Sequence, residues 1–225
     1  MNKKIKNVVF DMGGILIDID RMSCVQSFQK LGFKEIENYI GDFKQTAVFL
    51  DLEEGKVTEN EFYLFIKNNF LPSHSENEIK NAWLSFLSEI SDYKLNKLIH
   101  LKQNVRTYLL SNTNPIHFEW VKGSFFEKNG KQITDFFDEI FLSYELKISK
   151  PNKEIFDFMI KKAEINPQET LFIDDGENNI KTASELGFIC YQPTTNTGLE
   201  EFFEKYPINE KYNDYDKFIK NKKDY

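Results

Sequence analysis

Short apolar runs that suit buried strands recur along the chain, and each is followed by polar or turn-forming residues. The stretches between them carry apolar side chains at the helical spacing of three and four residues, as in Ile155, Phe156, Met159 and Ile160. Strands that alternate with helices favour an α/β fold, in which a parallel sheet has helices on both faces. The predicted strands are residues 6–10, 107–110, 138–142, 170–173 and 188–191.

The segment after the first predicted strand has a different pattern, because no convincing strand appears between residues 21 and 91. Two capping boxes mark helix starts within it. An apolar stripe behind the second box predicts a helix that continues to Ile90. The two boxes pair Thr58 with Glu61 and Ser75 with Glu78.

The order of these patterns predicts how the chain is divided. Residues 18–91 are expected to form a small all-helical cap, inserted after the first strand. Residues 1–17 and 92–225 are expected to form the core domain. The tail after Pro207, rich in Lys, Asn, Asp and Tyr, is expected to fray.

Composition and charge narrow the class of protein. The 225 residues include 36 acidic and 29 basic side chains, which gives a net charge of −7. This balance argues against nucleic acid, which favours a basic face, and against anionic membrane surfaces. No apolar run approaches the roughly 20 residues that span a bilayer, and Cys24 and Cys190 lack the spacing of a disulfide scaffold or a metal site. We therefore expect a cytoplasmic globular protein with no nucleic-acid and no membrane partner.

Polar side chains lie at the ends of the predicted strands or in the loops that follow them. Ligands of open parallel sheets bind beyond the carboxyl ends of the strands, so these side chains are expected to meet at one edge. Each of these residues, taken alone, can also be explained as part of a turn, a helix start or a solvated charge. Two adjacent aspartates are the hardest to explain without a cation, because their charges repel. The residues are Asp11, Ser111 with Asn112, Lys150, and the pair Asp174 and Asp175.

These residue types point to a metal ion and a phosphate group. Carboxylates and backbone oxygens suit Mg²⁺, which usually shares its coordination shell with substrate phosphate. A lysine and a hydroxyl suit phosphate oxygens, and an aspartate beside Mg²⁺ can act as a nucleophile that forms an aspartyl-phosphate. No P-loop is present, and none of the three histidines (His74, His100, His117) occupies a strand end that suits a general base.

In this order the motifs resemble those of the haloacid dehalogenase-like (HAD) hydrolases, a superfamily composed mostly of phosphatases. The resemblance extends from residue 6 to residue 191, and residues 53–62 are similar to part of the cap in the branch that includes α-D-glucose-1-phosphate phosphatase. The matching motifs are residues 8–16, residues 110–113, Lys150 with Pro151, and residues 172–175 with 178–180.

The resemblance implies a Rossmann-like core and a role for each matching residue. Asp11 would be the nucleophile, Ser111 and Asn112 would hold the phosphoryl group, and Lys150 would neutralise charge. The Mg²⁺ ligands would be Asp11, the carbonyl of Gly13 and Asp175, with Asp174 as a second acidic position. The implied activity is Mg²⁺-dependent hydrolysis of a small phosphorylated metabolite, a sugar phosphate above all, through an aspartyl-phosphate at Asp11.

One position departs from the family pattern. Most phosphatases of the family carry a second aspartate two residues after the nucleophile, where it acts as general acid and base, and here that position is Gly13. Such proton transfers typically contribute about 10²–10⁴-fold to the rate. Asp18, Asp20 and Glu53 are the candidate substitutes.

Two alternatives to the phosphatase remain at this point. A haloacid dehalogenase also lacks the second aspartate, but it needs no metal and has no paired acidic fourth motif, so Asp174 and Asp175 weigh against it. A non-catalytic protein that binds phosphorylated metabolites is the other alternative, because Gly13 cannot transfer a proton.

Overall fold

The computed structural model describes residues 5–41 and 44–205, and the polar tail after Pro207 lies outside the described residues. The strands are β1 (Asn7–Phe10), β2 (Arg106–Ser111), β3 (Glu139–Leu142), β4 (Thr170–Ile173) and β5 (Ile189–Tyr191). They form one sheet in the order β3-β2-β1-β4-β5, and every neighbouring pair is parallel. The predicted parallel sheet is thereby confirmed.

Helices occupy most of the chain between the strands. The capping boxes are present as predicted, at the starts of α3 and α4. The helices are α1 (Arg21–Leu31), α2 (Ala47–Glu53), α3 (Glu59–Asn69), α4 (Glu76–Leu84), α5 (Asp92–Lys102), α6 (Pro115–Val121), α7 (Ser143–Leu146), α8 (Lys153–Ala163), α9 (Glu177–Glu185) and α10 (Gly198–Lys205). No helix in the described ranges is long and apolar enough to cross a membrane.

Both faces of the sheet are buried, as the apolar strand sequences require. Successive side chains of a strand point to opposite faces. In β1, Val8 and Phe10 pack in one apolar cluster and Val9 packs in the other. The cluster around Val9 includes residues of α8 and α9, whereas the cluster around Phe10 includes residues of α5 and α10. Helices therefore cover both faces.

The helical insert, residues 18–91, leaves and rejoins the sheet domain through two connections that lie side by side. The N–H of Asp18 donates to the Glu89 carbonyl (3.2 Å), and the N–H of Ser88 donates to the Asp18 carbonyl (2.8 Å). Ile19 and Leu87 form an antiparallel bridge between them. The predicted boundaries of the insert fall in these connections, and the division into domains stays a prediction.

Two helix boundaries differ from the sequence prediction. The stripe expected to reach Ile90 ends as helix at Leu84, because the following backbone pairs with the other connection, where the Asp20 N–H donates to the Phe86 carbonyl (2.8 Å). Pro151 precedes the apolar stripe that includes Ile155 and Phe156, and a proline there predicts the first position of that helix. Instead, α8 begins at Lys153. The Asn152 side chain accepts from the Glu154 N–H and caps the helix there.

Candidate active site

The carboxyl ends of β1, β2 and β4 bring the predicted site residues to one edge of the sheet. Phe10 lies between Leu109 of β2 and Ile173 of β4 in the strand register. The next residues are therefore neighbours, and Asp11, Asp174 and Asp175 each offer a carboxylate oxygen within 4.8 Å of the others. A cavity of about 810 Å³ opens at this edge, between the sheet domain and the helical insert.

Asp11 has one carboxylate oxygen engaged and one directed to no donor among the described residues. Its Oδ1 accepts from the Met12 N–H (2.7 Å) and lies 2.9 Å from the Lys150 ammonium. Burial raises the pKa of Asp11 from its ordinary 3.8 to about 7, and the charges of Asp174 and Asp175 add to the rise, while Lys150 opposes it. Cationic groups beside the carboxylate are therefore needed to keep it ionised.

Lys150 is held from both ends. Its side chain is 1% exposed, and its ammonium lies 2.6 Å from Asp174 Oδ2. Its backbone N–H donates to Asn112 Oδ1 (2.7 Å), and its carbonyl accepts from Asn112 Nδ2 (2.8 Å). Burial lowers the pKa of Lys150, but the charges of Asp11 and Asp174 outweigh it and hold the pKa above its ordinary value. Lys150 therefore remains a cation beside Asp11.

The Asn112 side chain makes these two bonds with the Lys150 backbone and also lines the cavity, so its contact with a phosphoryl group stays a prediction. Ser111 is fully buried, and its hydroxyl donates only a long bond (3.4 Å) to the Asn112 carbonyl. Thr113 lines the cavity beside Asn112, and its buried hydroxyl has no hydrogen-bond partner among the described residues. Thr113 belongs to the second motif, residues 110–113, but the sequence analysis gave it no role of its own.

The two aspartates after β4 differ in how they are bonded. Asp174 is fully buried, and its oxygens accept from the Gly176 N–H (2.8 Å), from Asn179 Nδ2 (2.9 Å) and from Lys150 (2.6 Å). Asp175 accepts from the Thr195 hydroxyl at Oδ2 (2.6 Å), and its carboxyl group also accepts from its own backbone N–H. Burial raises the pKa of Asp175, and the Thr195 bond partly offsets it.

This donor set fits Mg²⁺. Three carboxylates lie together, and Lys150 is the one ammonium that contacts them within the described ranges, so negative charge remains to be neutralised. Hard oxygen ligands of this kind suit Mg²⁺, which keeps several waters and shares its shell with phosphate. Asp11, Asp175 and the Gly13 carbonyl, which lines the same cavity, would hold the ion.

The opposite wall of the cavity comes from the helical insert. Glu53 at the end of α2 lines it, and burial, with a smaller contribution from Glu54, raises the pKa of Glu53 from 4.5 to about 8. Among the described residues, no donor is bonded to the Glu53 carboxyl. The other candidate acids are not on the wall, since Asp18 bonds Lys94 (2.9 Å) and Asp20 caps α1.

The turn that carries Glu53 is anchored to the sheet domain. The buried Ser143 hydroxyl donates to the Glu53 carbonyl (2.6 Å), and Ser149 donates to Glu54 (3.0 Å). Gly55 has φ +60°, and a Cβ there would lie 2.0 Å from the Tyr144 carbonyl oxygen, so only glycine allows this approach. These long-range contacts left no local signal in the sequence.

His117 is the residue of the cavity wall that was set aside at the sequence level. It is buried in α6, and its Nε2 lies 3.1 Å from the Trp83 carbonyl of the insert. Burial lowers its pKa to about 4, so it is neutral near pH 7, with Nε2–H as the donor. Its role as a link between insert and sheet domain depends on a fold that brings α4 to α6.

Comparison with known proteins places the chain among enzymes of one family. The family model for haloacid dehalogenase-like hydrolases matches residues 5–187. D-ribitol-5-phosphate phosphatase of Bacteroides thetaiotaomicron is 43% identical over 189 residues, which cover 84% of this chain and 92% of that protein.

Solved structures agree with this similarity. A HAD family enzyme of Bacteroides thetaiotaomicron, in complex with magnesium and inorganic phosphate, superposes with a TM-score of 0.82 and 41% identity, covering 88% of this chain and 99% of that one. A HAD-like family hydrolase of Porphyromonas gingivalis gives a TM-score of 0.83 and 34% identity, covering 92% of this chain and 100% of that one. Residues 5–187, which the family model matches, contain all four motifs.

Proposed function

The chain belongs to the haloacid dehalogenase-like hydrolase family, and we propose that it is a Mg²⁺-dependent phosphatase for a small phosphorylated sugar or sugar alcohol. The observation that carries the proposal is the cluster of Asp11, Asp174 and Asp175 around Lys150, at a cavity large enough for such a molecule. We also propose that it works in the cytoplasm, as its sequence predicts.

Asp11 performs the covalent step in this proposal. A carboxylate oxygen of Asp11 attacks phosphorus, the bond between phosphorus and the ester oxygen breaks, and the leaving alcohol takes up a proton. Water then attacks the aspartyl-phosphate at phosphorus, which releases inorganic phosphate and restores the carboxylate. The net reaction consumes one water and yields one alcohol and one phosphate.

Charge stabilisation is the main contribution of the other residues. Lys150, fixed by Asn112 and Asp174, places a buried ammonium beside Asp11 where the phosphoryl group is transferred. Bound Mg²⁺ would supply further positive charge to the phosphate oxygens. Such preorganised charge is usually the largest catalytic contribution in phosphoryl transfer. The buried hydroxyl of Thr113 adds a donor on the same wall.

The insert side of the cavity supports a hydroxylated leaving group. Lys44, Glu53 and Lys56 line it together with apolar side chains such as Leu50 and Phe86. Polar groups placed among apolar side chains are typical of sites that orient small ligands. The similar phosphatase named for D-ribitol 5-phosphate makes a pentitol phosphate the first substrate to test.

Glu53 is the candidate that we favour for the acid missing at Gly13. It is the member of the three candidates that lines the cavity, and no donor among the described residues occupies its carboxyl group. A carboxyl held neutral by its surroundings can donate a proton or a hydrogen bond to the leaving alcohol. Asp18 and Asp20 are tied to Lys94 and to the α1 cap.

A phosphate-release assay over a panel of esters tests the function. The panel contains D-ribitol 5-phosphate, pentose and hexose phosphates and a simple alkyl phosphate, each with Mg²⁺ and with excess chelator. A parallel chloride-release assay uses 2-chloropropionate under the same two conditions. We expect phosphate release from a sugar or sugar-alcohol phosphate that depends on Mg²⁺. Chloride release without metal would favour the dehalogenase, and binding of esters without turnover would favour the non-catalytic alternative.

A further inference from the structure

Thr195 and Asn196 lie outside the four motifs, in the turn between β5 and α10, yet they contact three parts of the active site. Within this turn the Gly198 N–H donates to the Thr194 carbonyl (3.0 Å), so residues 194–198 form a closed loop. We refer to residues 194–198 as the β5–α10 turn. The turn contacts the proposed metal ligand Asp175, the loop that carries the nucleophile Asp11, and the connection to the helical insert at Ile19.

The first contact fixes the carboxylate of Asp175. The Thr195 hydroxyl donates to Asp175 Oδ2 (2.6 Å), and Gln192 Nε2 donates to the Asp175 carbonyl (3.0 Å). The Thr195 bond therefore fixes the orientation of the Asp175 carboxylate beside Asp11. Partners of this kind orient metal ligands and raise metal affinity.

The second contact is with the loop that carries Asp11 and Gly13. The Asn196 N–H donates to the Gly14 carbonyl (2.7 Å). Gly14 has φ +72°, and a Cβ there would lie 2.4 Å from Asp175 Oδ2 and 2.9 Å from Thr195 Cγ2. The turn, the Asp175 carboxylate and the nucleophile loop are thus packed directly against one another.

The third contact is with the connection into the helical insert. The Asn196 side chain bonds both peptide groups of Ile19: its Oδ1 accepts from the Ile19 N–H (2.9 Å), and its Nδ2 donates to the Ile19 carbonyl (3.0 Å). Asn196 has φ +70°, a conformation that asparagine tolerates better than most residues. Ile19 also bridges to Leu87 in the returning connection.

We propose that the β5–α10 turn is a positioning element that couples metal binding at Asp175 to the position of the helical insert. Thr195 orients the metal ligand, and Asn196 in the same turn holds the connection that joins the insert to the sheet domain. Because coupling between two sites is reciprocal, a change at Asp175 is felt at Ile19 and the reverse. This inference rests on the Mg²⁺ site of the proposed function.

The first test measures Mg²⁺ binding by calorimetry, with the metal alone and no substrate. Thr195→Val keeps the shape of the side chain but removes the donor, and we expect it to raise the dissociation constant for Mg²⁺ about tenfold or more. Thr195→Ser should restore binding, and Thr194→Val is the matched control because Thr194 is exposed in the same turn. Circular dichroism confirms that each variant is folded.

The outcomes separate this inference from the proposed function. If the wild type binds Mg²⁺ and Thr195→Val binds it equally well, the positioning role is wrong while the phosphatase stands. If the wild type binds no Mg²⁺, both are overturned. If Thr194→Val weakens binding as much as Thr195→Val, the effect belongs to the turn as a whole and the assignment to Thr195 fails.

The second test follows amide hydrogen exchange at Ile19. Asn196→Gly keeps the backbone conformation but removes both bonds to Ile19, and exchange at that amide should accelerate. In the wild type, Mg²⁺ should slow exchange at Ile19 by about fivefold or more, and this effect should be lost in Thr195→Val. Unchanged exchange in Asn196→Gly, or equal protection by Mg²⁺ in Thr195→Val, would overturn the coupling.

Discussion

Gly13 is the residue at which this site differs most from the family pattern, and the structure shows room for a Cβ atom there. A Cβ at Gly13 would meet Ile19 Cγ2 at 3.5 Å, an ordinary contact, and the φ of Gly13 requires no glycine. A side chain can therefore begin at this position without backbone strain. We expect an aspartate at position 13 to supply the acid that the site lacks.

Replacing Gly13 with aspartate tests this conclusion. Gly13→Asp should raise kcat on an alkyl phosphate, whose leaving group needs a proton, by about tenfold or more, since general acids typically contribute 10²–10⁴-fold. It should change kcat little on nitrophenyl phosphate, whose leaving group needs none. Gly13→Asn has the same size and no acid, so equal rates for the two variants on alkyl phosphate would contradict the account.

Glu53 makes a second prediction at the residue scale, because its pKa is raised from 4.5 to about 8. Between these values the unfolded chain has lost the proton that the folded chain keeps, so the contribution of Glu53 to stability falls as the pH rises from 4.5 to 8. Glu53→Gln removes this dependence. Its free energy of unfolding relative to wild type should therefore increase over that range, on the order of 1–4 kcal/mol.

Urea unfolding at pH 4.5 and pH 8 measures this difference. Glu185→Gln, on the exposed side of α9, is the matched control and should differ from wild type by the same amount at both pH values. If the difference between Glu53→Gln and wild type stays constant or shrinks as the pH rises, the Glu53 carboxyl is not neutral in the folded protein.

At the scale of elements, the sequence predicted those helix boundaries that are set by interactions between neighbouring residues. The capping boxes at Thr58 and Ser75 start α3 and α4 because their bonds close within four residues. The predicted end of α4 at Ile90 was wrong, because it depends on the bond between the Asp20 N–H and the Phe86 carbonyl, which joins residues more than sixty positions apart. Helix periodicity cannot reveal such a contact, because Phe86, Leu87 and Ile90 are apolar whether the segment continues as a helix or pairs with the other connection.

The turn after α2 gives a prediction for an element. Gly55→Ala places a methyl group against the Tyr144 carbonyl, so the turn with Glu53 should move away from the sheet domain. Gly130→Ala is the matched control, because Gly130 also has a positive φ (+77°) but nothing lies within 4 Å of its Cβ position. Both variants bear the cost of a left-handed residue, about 1–2 kcal/mol.

Gly55→Ala should therefore lose more stability than Gly130→Ala in urea unfolding, and kcat/KM should fall in Gly55→Ala alone. Equal stability and equal kcat/KM in the two variants would show that the close approach of Gly55 to Tyr144 does not hold the insert in place.

At the scale of the whole molecule, the position of most of the site could be predicted. Ligands of open parallel sheets bind beyond the carboxyl ends of the strands, and the predicted site residues follow those ends. Asp11, Lys150, Asp174 and Asp175 meet because parallel strands present their carboxyl ends together. The wall from the helical insert was not predictable, because it depends on how Ser143 and His117 hold that insert against the sheet domain. Those contacts join segments that are distant in the sequence, so no periodic pattern of apolar residues reveals them.

The carboxylate cluster also links the metal to the stability of the molecule. In the absence of metal the like charges of Asp11 and Asp175 repel, so Mg²⁺ should stabilise the folded state. At a hundredfold excess over its dissociation constant, bound Mg²⁺ adds about 2.7 kcal/mol, or roughly 5–10 °C in Tm. Thermal unfolding with Mg²⁺ and with chelator measures the shift.

Asp175→Asn is the comparison for that measurement. It removes a charge from the cluster, so its Tm in chelator should equal or exceed that of wild type, while its response to Mg²⁺ should nearly vanish. A full Mg²⁺ shift in Asp175→Asn would place the ion elsewhere.

The central claim is that Asp11 carries the phosphoryl group during Mg²⁺-dependent turnover, and acid quenching during turnover tests it most directly. The enzyme is mixed with Mg²⁺ and D-ribitol 5-phosphate, or with the best ester of the panel, quenched in acid within milliseconds, and digested for peptide mass spectrometry. The account predicts a phosphoryl group on Asp11 that disappears when the substrate is exhausted, and neither phosphorylation nor turnover in Asp11→Asn. Wild-type turnover in Asp11→Asn, with no phosphoryl group on Asp11 in the quenched wild type, would contradict it.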